Sequence, residues 1–409
     1  MTKINIKQAR VSRRAKNLLR LRSTWWGYRR ENGDVGSRNY LLVLSGLFSA
    51  NSVCERVAHT LRHSIPLTHP LGRCQIAPDL EHTLNTLVGQ GLNANAGAVL
   101  VIDHYHENER SGEELAHRIA KSGKRVGLVN IRKGSGIADA TAKATRIGME
   151  MVRELTKEQR QEVPVSKLLV GLNCGRSDTI SGLSHNKALG WVTDQVVQLG
   201  GRAILAETTE LMGAEDVLAA KCVRSSLGDR IWKMVKETEN NVLAYGVDLR
   251  GSQPTSDNIA GGLTTIEEKS LGAIQKAGTA PIVDVIPWAE RAGRKSGVHI
   301  MDTPGHSGES LTGICAGGAQ VLLFSTSGGL TINHPLMSTI RVTGNPASAS
   351  MNLDTTDVDV SDIFEGLPIQ DAGRRVYDEL LNVASGKMTT GEILYLADAF
   401  AINRCGPSV

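Results

Sequence analysis

The residues best equipped for chemistry fall in short polar loops that directly follow apolar runs. Asn173 to Gly182, NCGRSDTISG, places a soft nucleophile or ligand (Cys174), a cation (Arg176), a carboxylate (Asp178) and the hydroxyls of Ser177, Thr179 and Ser181 in one turn. Glu207-Thr208-Thr209-Glu210 offers two carboxylates at a strand end, which suits metal coordination or proton transfer. Met301 to Glu309, MDTPGHSGE, brings Thr303 together with Asp302 and His306, the last two donors that suit a borderline metal such as Fe²⁺ or Mn²⁺. Ser325 to Gly329, STSGG, supplies hydroxyls and backbone donors for a carboxylate or phosphate. In Ser252 to Gly278 the pair Gly261-Gly262 and Thr264, Thr265 precede Glu267, Glu268 and Lys269 at the start of a helix. Glycines there permit close approach of a ligand, and the first helical N–H groups favour an anion. The same stretch also reads as an ordinary helix capped by Thr264 or Thr265.

A second group lies earlier. HPLGRCQIAPD contains His69, Cys74 and Asp79, and IDHYHENER contains Asp103, His104, His106 and Glu107. Two histidines at i and i+2 share a face only in an extended segment, so this pattern is far less specific than HExxH. Its competing reading is a solvated loop after a strand.

These loops need strands to carry them. Tyr40 to Leu47, Gly97 to Asp103, Arg125 to Asn130, Lys167 to Leu172, Arg202 to Glu207, Pro281 to Ile286, Val298 to Met301, Ala319 to Ser325 and Ser338 to Val342 are apolar runs without alternation. Helical spacing separates many of them, as in Ser49 to His63, Ser111 to Ser122, Gly136 to Leu155 and Asn186 to Leu199. Continuous apolar strands alternating with helices imply parallel sheets covered on both faces. The expected fold is α/β, with two Rossmann-like units. Ligands of such sheets sit at the carboxyl ends of the strands, where the polar loops fall. The polar, proline-ended stretch Thr156 to Pro164 places a boundary near residue 160, giving a basic arm over 1–24, a first unit over 25–160 and a second, site-bearing unit over 161–409.

Composition narrows the classes. With 41% hydrophobic and 22% charged residues the chain is an ordinary globular protein, and no apolar run approaches a bilayer span. The formal charge of +4 is misleading, because Met1 to Thr24 carries eight Lys/Arg and no acid, which leaves −4 for the rest. Aromatics make up only 4%, so base-stacking surfaces are hard to build, and nucleic-acid binding by the body has no support. Six scattered cysteines without a CxxC pair argue against a disulfide scaffold or structural zinc and fit a reducing cytoplasm. The basic arm reads as a docking segment for a partner or as an Arg-rich presequence.

GYRRENGDVGSRNY, CGRSDTISG, AETTELMGAE, NIAGGLTTIEEKSLGAI and MDTPG, in this order, resemble the altronate/galactarate dehydratase family, which includes a (2R)-sulfolactate sulfo-lyase branch. The likeness runs from about Gly27 to the C-terminus. It implies a lyase that eliminates water, or sulfite in that branch, across C2–C3 of a hydroxylated acid (an aldonate or aldarate for the dehydratases) to give a 2-keto acid. It also implies a divalent metal, Fe²⁺ or Mn²⁺, a separate small SAF-domain subunit and a homo-oligomer. Under this resemblance Lys269 or Glu267 is the expected base, with Asp178 a catalytic acid. Arg176, Ser177, Ser181, Thr264, Thr265 and Thr303 are the expected substrate contacts, and Cys174, Glu207, Asp302 and His306 the expected metal ligands. Two departures bear on the substrate: the family's CGGSD is CGRSD here, and its GCE after the Gly97–Asp103 strand is His104-Tyr105-His106-Glu107. The rival reading is a non-catalytic subunit that binds a sugar acid.

Overall fold

A computed structural model describes residues 21–105, 112–397 and 399–409. Most of the basic arm, together with His106 and Glu107, lies outside the described residues. The end of the arm does have a place: Arg22 donates to the Asp378 carbonyl at 2.8 Å and to Asn382 at 3.0 Å.

Strands β1 (Thr24–Arg29) and β2 (Val35–Gly36) lead into β3 (Tyr40–Ser45), β4 (Ser64–Leu67), β5 (Ala96–Asp103) and β6 (Arg125–Asn130). The last four form a parallel sheet in the order β4-β3-β5-β6. Its apolar strands are buried because helices cover both faces. α1 (Asn51–Thr60) and α4 (Ile137–Leu155) pack Val53, Val57, Ala144 and Met151 on one side. α2 (Ala77–Leu92) and α3 (Gly112–Ala120) pack Leu84, Leu87, Leu115 and Ile119 on the other. The stretch read as a domain boundary ends in β7 (Gln161–Pro164), which pairs antiparallel with β1.

The second unit holds β8 (Leu169–Cys174), β9 (Arg202–Leu205), β10 (Ile282–Ile286), β11 (Gly297–Met301), β12 (Val321–Ser325), β13 (Ser338–Thr343) and β14 (Val358–Asp359). They form one parallel sheet in the order β10-β11-β9-β8-β12-β13-β14. The helices that matter for the site are α5 (Thr179–Leu183), α6 (His185–Gln198), α7 (Ser225–Leu243), α8 (Ile266–Ala273), α9 (Ser307–Ala316) and α10 (Ile369–Ala384). The molecule is thus α/β with two parallel, helix-covered sheets of Rossmann type.

The two units share a core. α2 and α9 form an inner layer between the sheets, and one apolar cluster runs from Leu42, Leu44, Val99 and Val101 through Leu87 and Ile314 to Leu169, Leu322 and Phe324. Gly89 makes the helix contact possible, since a Cβ there would lie 2.6 Å from the Ala316 Cβ. Polar ties run beside this layer: Asn93 donates to the carbonyls of Cys315 (2.8 Å) and Ala319 (2.9 Å), and Asn95 to those of Gln320 and Leu336 (both 2.9 Å). The chain end then returns to the first unit, with Arg404 and the Cys405 N–H both 2.9 Å from the Asp79 carboxylate. Among the described residues no helix is long and apolar enough to cross a membrane.

Candidate active site

The second sheet reverses its direction of growth at β8, with β9 on one side and β12 on the other, so the crevice at the carboxyl ends of β8 and β12 is its topological switch point. There Cys174 is in register with Ser325, and the Gly175 N–H donates to the Ser325 carbonyl at 2.9 Å. The loops after β8, β9, β11 and β12, all singled out by their residue types, meet around this point.

Glu207 is the centre of the arrangement. It leaves β9 in the left-handed region (φ 70°, ψ 76°), a conformation that costs a non-glycine residue about 1–3 kcal/mol. Bonds from the β11 loop hold it there: the Glu207 N–H donates to Thr303 Oγ1 at 2.8 Å, and the Thr208 N–H to the Thr303 carbonyl at 3.0 Å. The side chain is thereby turned inward, where Oε2 accepts from the Cys174 N–H (3.1 Å) and from Cys174 Sγ (3.3 Å). Burial pushes its carboxyl up to about 7, opposed by the positive charge of Lys276 and reinforced by the negative charge of Glu210. Burial likewise pushes the Cys174 thiol up to about 12, so at neutral pH the sulfur is a protonated donor. Lys276, fully buried, is the member that the sequence pattern did not reveal. Burial acts to lower it, but a hydrogen bond to Cys174 and the negative charges of Glu207 and Glu210 offset this and hold it above its ordinary range. A second pair lies alongside: Lys269 Nζ is 3.0 Å from Glu210 Oε1 and 2.9 Å from Gln253 Oε1, with the two charged side chains 12% and 13% exposed.

Asp178 is placed differently. Its Oδ1 accepts from the Ser181 N–H (2.8 Å), Ser181 Oγ (2.9 Å) and Ser327 Oγ (2.7 Å), and its Oδ2 from Asn345 (2.8 Å). It caps α5 and ties the loops after β8, β12 and β13 together. Ser177 is buried beside it, 3.9 Å from Cys174 Sγ, whereas Arg176 is exposed and pairs with Asp257 at 3.5 Å. Glu267 is exposed; Thr265 caps α8 through the Glu268 N–H, and Thr264 bonds the Glu268 carboxylate. An open cleft of about 270 Å³ separates α5 from α8, lined among others by Ser177, Asp178, Ser181, Lys187, Glu268 and Lys269. Glu207 and Lys276 are not among the residues that line it. Lys269 lines the cleft and pairs with Glu210.

Buried side-chain atoms without a hydrogen-bond partner gather in these same segments: Asn173 Oδ1, Thr179 Oγ1, His185 Nε2, Glu210 Oε2, Ser270 Oγ and Ser325 Oγ. Orphaned buried polar groups are rare in folded proteins, and such a concentration is what a site for a polar ligand leaves behind. His185 is informative because its Nδ1 accepts from the Gly344 N–H at 3.0 Å, which leaves the proton on Nε2. Burial lowers this imidazole to about 4, so it is a neutral donor. Its setting in SHNKALG carries no signal that would have marked it.

The implied Fe²⁺ or Mn²⁺ can be compared with these positions. Cys174 and Glu207 touch, but Asp302 accepts from Thr208 Oγ1 at 2.6 Å, and His306 is 67% exposed beside Glu309. Among the described residues no three His, Cys, Asp or Glu side chains converge as metal ligands. The four residues therefore do not form a metal cage in this arrangement. The earlier cluster does not form one either. The His69 ring is buried against the Ser45 carbonyl (3.0 Å) and the Leu71 N–H (3.2 Å), and Asp79 anchors the C-terminal segment.

A buried carboxylate raised to about 7, a buried lysine and a set of buried polar atoms without hydrogen-bond partners lie at the switch point of a parallel sheet, the composition of an acid–base site in an α/β fold. The family follows from comparison with known proteins. Residues 165–408 match the family model described as D-galactarate/altronate dehydratase, C-terminal, and residues 27–156 match D-galactarate dehydratase/altronate hydrolase, second domain. The chain belongs to this dehydratase family and is a lyase. It is 35% identical over 373 residues to the (2R)-sulfolactate sulfo-lyase subunit beta of Chromohalobacter salexigens, covering 91% of this chain and 95% of that protein. It is 28% identical to the altronate dehydratase of Escherichia coli (89% of this chain, 74% of the relative) and 28% identical to the galactarate dehydratase (L-threo-forming) of the same organism (90% and 74%).

Proposed function

We propose that the chain catalyses elimination across C2–C3 of a hydroxylated carboxylic acid. Glu207 takes the C2 proton, the C3 substituent departs with the electron pair, and the resulting enol tautomerises to a 2-keto acid. With an aldonate or aldarate as substrate, water leaves and the product is a 2-keto-3-deoxy acid. The observation that carries this reading is the buried Glu207 carboxylate, held inward at the sheet's switch point by its left-handed backbone and its bonds to Cys174 and Thr303: raised to about 7 it is a competent base, and the positive charge of Lys276, buried in the same region, stabilises the negative charge that develops on the substrate carboxylate. His185 Nε2–H is a further neutral donor for that charge. Lys269, on the cleft wall, would supply a proton to a departing hydroxyl. Glu207 is taken as the base in place of Lys269 or Glu267, since Glu267 is exposed and Lys269 is ion-paired with Glu210 at 3.0 Å.

A second reading keeps the same proton abstraction but releases sulfite. It is favoured by the match to nearly the whole of a sulfo-lyase subunit, whereas the dehydratases extend beyond the matched region. That relative is named a subunit, which supports a separate small SAF-domain partner here. The test is a 2-keto acid assay over a panel of aldonates, aldarates and sulfolactate, anaerobic, with and without Fe²⁺ or Mn²⁺, with sulfite measured in parallel. Ligand binding without product from any member would sink both lyase readings and favour a sugar-acid-binding subunit.

A further inference from the structure

The order β4-β3-β5-β6 gives the first sheet its own switch point, between β3 and β5, and the carboxyl edge there is not empty of chemistry. Each of its four strand-end loops contributes a side chain to one cluster: Ser49 after β3, Arg73 after β4, His104 and Tyr105 after β5, and Arg132 after β6. Ser49 Oγ lies 3.0 Å from His104 Nδ1, and the His104 and Tyr105 ring centroids are 4.2 Å apart. The guanidinium carbons of Arg73 and Arg132 stand 5.3 and 5.2 Å from the Tyr105 ring centroid. A cation over a ring is fixed by its face, which leaves its N–H edge available. Among the described residues neither guanidinium has an acidic partner, whereas the neighbouring Lys133 is paired with Glu113. Burial, aided by the charge of Arg132 and opposed by that of Asp103 at the end of β5, holds the His104 imidazole below its ordinary range, and the Asp103 carboxylate itself accepts from Asn130 at 3.0 Å.

We propose that Arg73, Tyr105 and Arg132 form a second ligand site, an anion-binding cup that takes a small oxyanion, carboxylate or phosphate, on the guanidinium N–H edges. Two cations converging on one ring from separate loops are balanced by such a ligand, and paired guanidinium–oxyanion hydrogen bonds are the strong, geometrically selective kind. The cup belongs to a different sheet from the Glu207 site and stands independently of the elimination chemistry.

Isothermal titration of the full chain at low salt with inorganic phosphate and, separately, with pyruvate tests it. At least one of them binds saturably, and which one identifies a phosphate-bearing or a carboxylate ligand; binding by both marks a general oxyanion site. In the double variant Arg73→Gln/Arg132→Gln the affinity falls at least about tenfold, as expected for loss of charge-assisted bonds, with an unchanged melting temperature in the absence of ligand. Glu207→Gln retains the binding. The proposal is overturned if neither anion binds saturably, if the double variant binds like the wild type, or if Glu207→Gln abolishes the binding that the double variant keeps.

Discussion

Glu207 gathers several costs at one residue: a left-handed backbone, burial of a carboxylate and proximity to a second acid, Glu210. Proteins retain such combinations where the strained, shifted group does the chemistry. Glu207→Gln, nearly isosteric, should therefore lower turnover by about 10²–10⁴-fold while the circular dichroism spectrum is preserved. As a base, Glu207 works ionised, so kcat/KM rises with pH through about 7, and the variant's residual activity loses that limb. The stability consequence has the opposite sense. A carboxyl raised in the fold above its ordinary value of 4.5 favours folding fully below that value and progressively less as pH climbs through about 7. Urea denaturation at several pH values should show this decline in the wild type and lose part of it in Glu207→Gln. Lys276→Met tests the nearby cation: removing its positive charge should raise the Glu207 carboxyl further, shifting the kcat/KM limb to higher pH, and should lower turnover strongly. A stable, active Lys276→Met enzyme would remove Lys276 from the mechanism.

At the scale of elements, α8 shows how local rules and chemistry coexist. Thr265 caps the helix and Glu268 bonds back to Thr264, so the ordinary-helix reading of GGLTTIEEK is correct for those residues. The same cap fixes the rotation of the helix that carries Lys269 towards Glu210. Thr265→Ala should cost about 1 kcal/mol of stability, read as a lower melting temperature. If the cap also orients Lys269, kcat falls by more than KM changes; an unaltered kcat would confine Thr265 to stability. Asp178 belongs to this scale as well. With four donors on its carboxylate it acts as a clamp between three strand-end loops.

In the whole molecule the two sheets are two units by pattern but one body by packing, because α2 and α9 bury their facing surfaces in a common core. Arg38 reinforces this from the edge. It donates to Glu392 at 2.7 and 2.8 Å and to the carbonyls of Val383 (2.9 Å) and Lys387 (2.8 Å), with little of either charged group exposed. Calorimetry should accordingly show one cooperative unfolding transition, and two resolved transitions would contradict a shared core. Arg38→Met, which strands the Glu392 carboxylate, should lower that single transition markedly.

What the sequence determined by itself was the class of fold, the strands and most helices, and the loops that carry chemistry. Apolar runs without alternation can be satisfied only between helical layers, and a polar loop after such a run has to lie at a strand end. Cys174, Glu207 and Thr303 were legible for that reason. The pairings were not. Lys276, in a short turn after α8, and His185, at the start of α6, look like surface polar residues in sequence, and only packing buries both and sets Lys276 near Glu207. Tertiary structure likewise decided that Asp178 is a clamp, that His306 faces solvent and that Arg73 meets Arg132 on one ring. The physical reason is the same throughout: a residue's type is local, whereas its solvation, and with it its charge state and partners, is set by chain segments distant in sequence.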